Sequence, residues 1–195
     1  MLKDLQKIFS KITLIDIDSL KDIVNTQVYL EFISLIPNLK EIFAFGNEKD
    51  PQEFNRTVKH IFRGIKVFLL IQNGNFNYPG FSTNSINQIL IKIKKISDFN
   101  AVMIPIILVY HDIGKFIRKR DHPQQSFNLI SEKGLLNPFK LNKKVQVLIE
   151  KVIQYHVLFA TIYTGESTYY GTYSLIHDDD LANLMLEPRY LDLFI

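Results

Sequence analysis

The chain reads as an all-α protein, a single compact helical bundle, and three observations predict this. Apolar residues recur at spacings of three and four along most of its length, the pattern of amphipathic helices. Nowhere does an alternating run stand between turn signals, as a half-buried strand would. Asp50-Pro51-Gln52-Glu53 is a strong helix start, with Asp able to cap, Pro suited to the first helical position and Glu three residues after the cap. At 195 residues the chain suits one ordinary domain, and 47% hydrophobic side chains are enough for a substantial core.

Taken in order, residues 2–12 and 19–36 carry apolar stripes and predict two helices within an N-terminal segment, 1–49. Their Phe and Leu content would serve either packing on the remainder, residues 50–195, or a dimer face of a homo-oligomer. From Asp50 onward Phe54, Val58, Ile61, Ile65, Phe68 and Leu69 form one inward stripe. The run Asn73-Gly74-Asn75-Phe76-Asn77-Tyr78-Pro79-Gly80 breaks that helix. A further pattern spans residues 85–96, with Ile86, Leu90, Ile93 and Ile96 on one face. Residues 103–115 predict another apolar helix. Residues 142–159 predict the next, opened by Asn142 and striped by Val145, Leu148, Ile149 and Val152. Thr164-Gly165-Glu166-Ser167 reads as a turn. His177-Asp178-Asp179-Asp180 reads as an acidic loop or helix start whose acids are solvated or capping, and residues 184–195 as a last helix.

Composition excludes several classes. With no cysteine, neither a disulfide scaffold nor a thiolate zinc site is available, so any metal would be held by nitrogen and oxygen. A formal charge of +3 and the lack of a long basic block imply no specific nucleic-acid binding. The longest apolar run, residues 101–110 with Pro105 inside it, falls well short of the roughly 20 residues that span a bilayer, so no membrane helix is expected. The first residues mix charge with hydrophobes, unlike a secretory signal, and a cytoplasmic location is the expectation.

Histidine is the informative residue type, since only five occur. Ile104, Ile107 and Leu108 place His111 on an apolar helix face, with Asp112 directly after it. An ionised Asp at the end of a buried stripe is costly to desolvate, and a divalent cation is its strongest compensation. His156 lies four residues after Val152 and seven after Ile149, also at the inward end of a helix. His60 sits beside the Ile61 and Ile65 stripe, with Gly64 one turn on, where a missing side chain leaves room for an ion or substrate. His122, in His122-Pro123, falls at a helix start.

His60, His111-Asp112-Ile113-Gly114-Lys115, His122-Pro123 and Gln154-Tyr155-His156 together resemble the HD superfamily of metal-dependent phosphohydrolases over residues 56–166. The resemblance implies that His60, His111 and Asp112 bind a first divalent ion. It implies that His122 and His156 are the extra ligands of two-metal members, that Asp112 bridges the ions, and that Lys115 is a catalytic residue contacting substrate phosphate. One or two ions of manganese, magnesium, iron, cobalt or zinc would suit such ligands. The expected substrate is a small phosphomonoester or phosphodiester, a nucleotide by resemblance. The alternatives are a catalytically degenerate module that binds a nucleotide or protein and a di-iron oxygenase. The sequence departs from the family pattern in three places. The Gly-Tyr-Pro signature of the cyclic-dinucleotide subgroup is absent, Tyr155 stands where many relatives have a second His, and no Asp in a family-like context follows His156. The distal Asp ligand is expected at Asp192, or beyond Ile195 in a longer parent protein.

Overall fold

The computed structural model describes residues 2–36, 38–76, 82–100, 102–163, 173, 175 and 177–185, and among these every regular element is helical. The helices are α1 (Leu2–Thr13), α2 (Gln27–Leu35), α3 (Leu39–Lys49), α4 (Pro51–Gln72), α5 (Thr83–Asn100), α6 (Met103–Tyr110), α7 (His122–Lys133), α8 (Lys143–Tyr163) and α9 (Asp179–Met185). Short 3-10 turns span Ile113–Phe116 and Asn137–Phe139. The expected turn at 164–167 and Asp192 lie outside the described residues.

Helix α4 starts as the sequence predicts, with the Asp50 carboxylate accepting the Glu53 N–H at 3.0 Å. Phe54, Val58, Ile61, Ile65 and Phe68 are all buried, whereas Leu69 is only partly covered. In α8, Val145, Leu148, Ile149 and Val152 are buried, and Asn142 caps the helix by accepting the Val145 N–H at 2.9 Å. One continuous apolar cluster runs from Leu5 to Leu184.

Two expectations need correction, and one helix is added to them. The predicted helix over 19–36 is α2 alone, because backbone groups of the preceding loop are tied to a side chain of α4. Asn55 of α4 accepts the Ile23 N–H and donates to the Lys21 carbonyl, and Thr26 caps α2. Helix α3 has no counterpart in the sequence reading, and its Gly46 explains its position: a Cβ there would stand 2.7 Å from the Phe116 ring. Helix α6 stops at Tyr110, with His111 as its C-cap, so residues 103–115 are a helix followed by a tight turn. Its fully buried face is Met103, Ile106, Val109 and Tyr110, while Ile104, Ile107 and Leu108 are half-buried.

The N-terminal helices bear directly on that turn. Phe116, the residue after Lys115, packs edge-on against Phe43 of α3 at 5.2 Å between ring centroids and, tilted, against Phe54 of α4 at 5.1 Å. Tyr29, Phe32 and Phe62 continue the aromatic layer. Burying these rings fixes the turn on one side, and α7 fixes it on the other.

Candidate metal centre

Asp112 is the centre of the site. Its side chain is only 2% exposed, and five basic groups face it. The ammonium of Lys115 lies 2.6 Å from Oδ2, with His60 Nε2 at 3.3 Å and His111 Nε2 at 3.5 Å from the same oxygen. On the other side, Oδ1 meets His122 Nε2 at 3.1 Å and His156 Nε2 at 3.8 Å. Four helices or helix ends therefore contribute: α4 through His60, the end of α6 through His111, the start of α7 through His122 and α8 through His156. All four histidines singled out in the sequence converge. The fifth, His177, is exposed and stacks on Tyr173 elsewhere.

The backbone decides which ring nitrogen faces inward. The Nδ1 atoms of His111, His122 and His156 lie 3.1, 3.0 and 2.7 Å from the carbonyls of Leu108, Lys119 and Ile153. A carbonyl only accepts, so each Nδ1 carries a proton and donates it, leaving Nε2 as a lone pair aimed at the carboxylate.

Burial holds His111 neutral, its pKa lowered, and pushes that of His156 down to about 4. Burial alone would raise the pKa of Asp112. The Lys115 ammonium, 2.6 Å from Oδ2, opposes this, and the carboxyl is held well below the usual range. Lone pairs facing an ionised carboxylate repel unless a cation lies between them. Protons on all four rings are a poor remedy, because adjacent ring centroids are only 5.3 to 5.4 Å apart and the charges would repel.

The spacing fits an ion instead. Ligand atoms about 2.1 Å from a common metal sit roughly 3–3.5 Å from one another, close to the separations found here. Two groups meet this geometry, His60 with His111 and Asp112, and Asp112 with His122 and His156. The cluster could thus hold one ion or two, with Asp112 shared by both groups.

Local sequence explains why the parts meet. A Cβ on Gly114 would collide with the His122 carbonyl and the Ser126 N–H, so glycine is what lets α7 approach the turn. Ser126, fully buried, donates its hydroxyl to the His111 carbonyl at 2.8 Å and accepts the Gly114 N–H at 2.8 Å. The sequence reading gave Ser126 no role. Its place four residues after His122, on the same face of α7, was the signal.

Gly64 does not open space for an ion or substrate. An added Cβ would meet Leu108 of α6 at 3.3 Å, so the missing side chain serves helix packing. Of the two readings of Asp178, solvated or capping, the cap holds. Asp178 accepts the Lys151 ammonium at 2.6 Å, the Tyr155 hydroxyl at 2.7 Å and the Leu181 N–H at 2.9 Å, capping α9, while Asp179 and Asp180 are exposed. Tyr155 thus points to a structural carboxylate. No helix among the described residues is long and apolar enough to cross a membrane. No family model, curated protein or solved structure matches the chain, so the functional reading rests on this geometry.

Proposed function

We propose that the chain is a metal-dependent phosphohydrolase of the HD type, acting on a phosphomonoester or phosphodiester of a small molecule such as a nucleotide. The observation that carries the reading is the set of four imidazole Nε2 atoms directed at the two oxygens of one buried, ionised carboxylate. A donor set of four imidazoles to one carboxylate favours a transition ion such as manganese, iron, cobalt or zinc over magnesium.

Divalent ions held there would activate water for attack on phosphorus and offset charge on the phosphoryl oxygens. The chain's own residues prepare that step. The carbonyls of Leu108, Lys119 and Ile153 fix three rings in the tautomer that ligates, so little reorganisation accompanies binding. Asp112 presents one oxygen to each half of the site and is able to orient a nucleophile between them. Lys115 is a compact cation at the edge of the cluster, placed to meet phosphoryl oxygen once its hold on Asp112 is shared with an ion.

The test is metal analysis of the purified protein, then turnover of p-nitrophenyl phosphate, bis(p-nitrophenyl) phosphate and a nucleotide panel with manganese. Bound metal with turnover supports the reading, and protein that neither takes up metal nor turns over any ester rejects it. Metal uptake without turnover would identify the degenerate binding module.

A further inference from the structure

A cleft of about 400 Å³ opens beside the metal cluster, and Lys115 belongs to both. The cleft is lined by Lys49 of α3, by Asp50 and Glu53 at the start of α4, and by Lys115, Arg118 and Lys119 on and after the turn. Four cations thus face two carboxylates. Asp50 caps α4, and Glu53 is shared between Arg56, which does not line the cleft, and Lys119, so Lys119 is only partly offset. Lys49 has no carboxylate partner among the described residues. Its ammonium donates to the Ile117 carbonyl and sits 5.6 Å from the Phe45 ring. Arg118 is held by Asp121. The cleft also lies at the N-terminal end of α4, a helix of 22 residues whose dipole adds positive potential there.

We propose that this cleft is a second anion subsite, and that the substrate carries a further phosphate beyond the one that meets the metal cluster, as a polyphosphate chain does. Lys115 belongs to both cleft and cluster, Lys49 and Lys119 line the cleft with it, and the open volume admits a phosphate group with its hydration. A cationic cleft of this kind adds affinity for the distal phosphate and leaves the reacting one to the metal cluster. Its role as a substrate subsite rests on the phosphohydrolase reading, whereas its capacity to bind polyphosphate does not.

Calorimetric titration of inorganic tripolyphosphate into the full chain without divalent cations tests the binding by itself. Lys49 and Lys119 are exposed, so the Lys49→Ala, Lys119→Ala double variant should fold, as far-ultraviolet circular dichroism would verify. Its tripolyphosphate affinity should fall at least tenfold. A Lys94→Ala, Lys95→Ala variant, which removes the same charge from the exposed side of α5, should bind like the parent. No binding by the parent, or equal loss in both variants, overturns the subsite. With manganese, the ratio of kcat/KM for a nucleoside triphosphate to that for p-nitrophenyl phosphate should drop by a similar factor in the Lys49, Lys119 variant, through KM. An unchanged ratio overturns the substrate role. If no ester is turned over while tripolyphosphate still binds through these lysines, the phosphohydrolase reading fails and the anion site stands.

Discussion

Asp112 and Asp178 are both shielded carboxylates with a lysine ammonium 2.6 Å away, and they do opposite things. Around Asp178 every neighbour is a donor: Lys151, the Tyr155 hydroxyl and the Leu181 N–H. Its needs are met within the protein, and the result is a pin that fastens α9 to α8. Around Asp112 one neighbour is a lysine and four are imidazole nitrogens, three of them on rings whose proton is already committed to a carbonyl. What distinguishes a site from a strut is therefore whether the groups around the acid can satisfy it without an outside cation.

The largest expected effect separates the two acids. Asp112→Ala should remove bound metal and lower turnover by about 10³-fold or more, with the helical signal retained. Asp178→Asn should leave metal content unchanged. Loss of metal from the Asp178 variant, with none from the Asp112 variant, would falsify the comparison. The two halves of the site come next: His122→Ala or His156→Ala should take one ion from a two-ion protein and spare the His60 and His111 group, as elemental analysis would count. A single ion lost equally from all four histidine variants would show that one centre uses every ring.

Smaller effects probe the scaffold. Gly114→Ala should destabilise by about 1–3 kcal/mol in denaturant titration, because the atoms it meets are backbone and have little room to retreat. Ser126→Ala should cost about 1–3 kcal/mol and weaken metal binding by about 10- to 100-fold, since it leaves a buried N–H unpaired and frees His111.

The smallest effect is the acid dependence of the pin. Burial raises the Asp178 pKa, but the Lys151 and Tyr155 contacts outweigh it, so the folded value lies below the unfolded one of about 3.9. The contribution of this carboxylate is accordingly full above about pH 4 and is lost as pH falls through the folded value. Asp178→Asn should lower stability at pH 7 by about 1–3 kcal/mol and flatten the stability curve below pH 4. Parallel curves for parent and variant would show that Asp178 carries no such load.

Much of the site was readable because its parts recur at helical spacing. The stripes of α4 and α8 give their inward faces, and those faces carry His60 at the rim and His156 at the end. The His-Asp-x-Gly-Lys run marks where a buried helix ends at a buried acid. Asp178 could not be distinguished from Asp179 and Asp180 in the sequence, since the Lys151 and Tyr155 side chains that hold it lie more than twenty residues away.

From its own residues the chain determines an all-α bundle and the placing of its candidate histidines on or at the ends of apolar helices, because period and cap chemistry act within one or two turns and are written locally. Tertiary contact decided that α6 ends at His111, that α3 exists and seats Phe116, that Gly64 is filled by Leu108, and that Ser126 ties α7 to the turn. Each of these depends on which surfaces meet across dozens of residues. Close packing tolerates only one such arrangement, and spacing along the chain does not encode it.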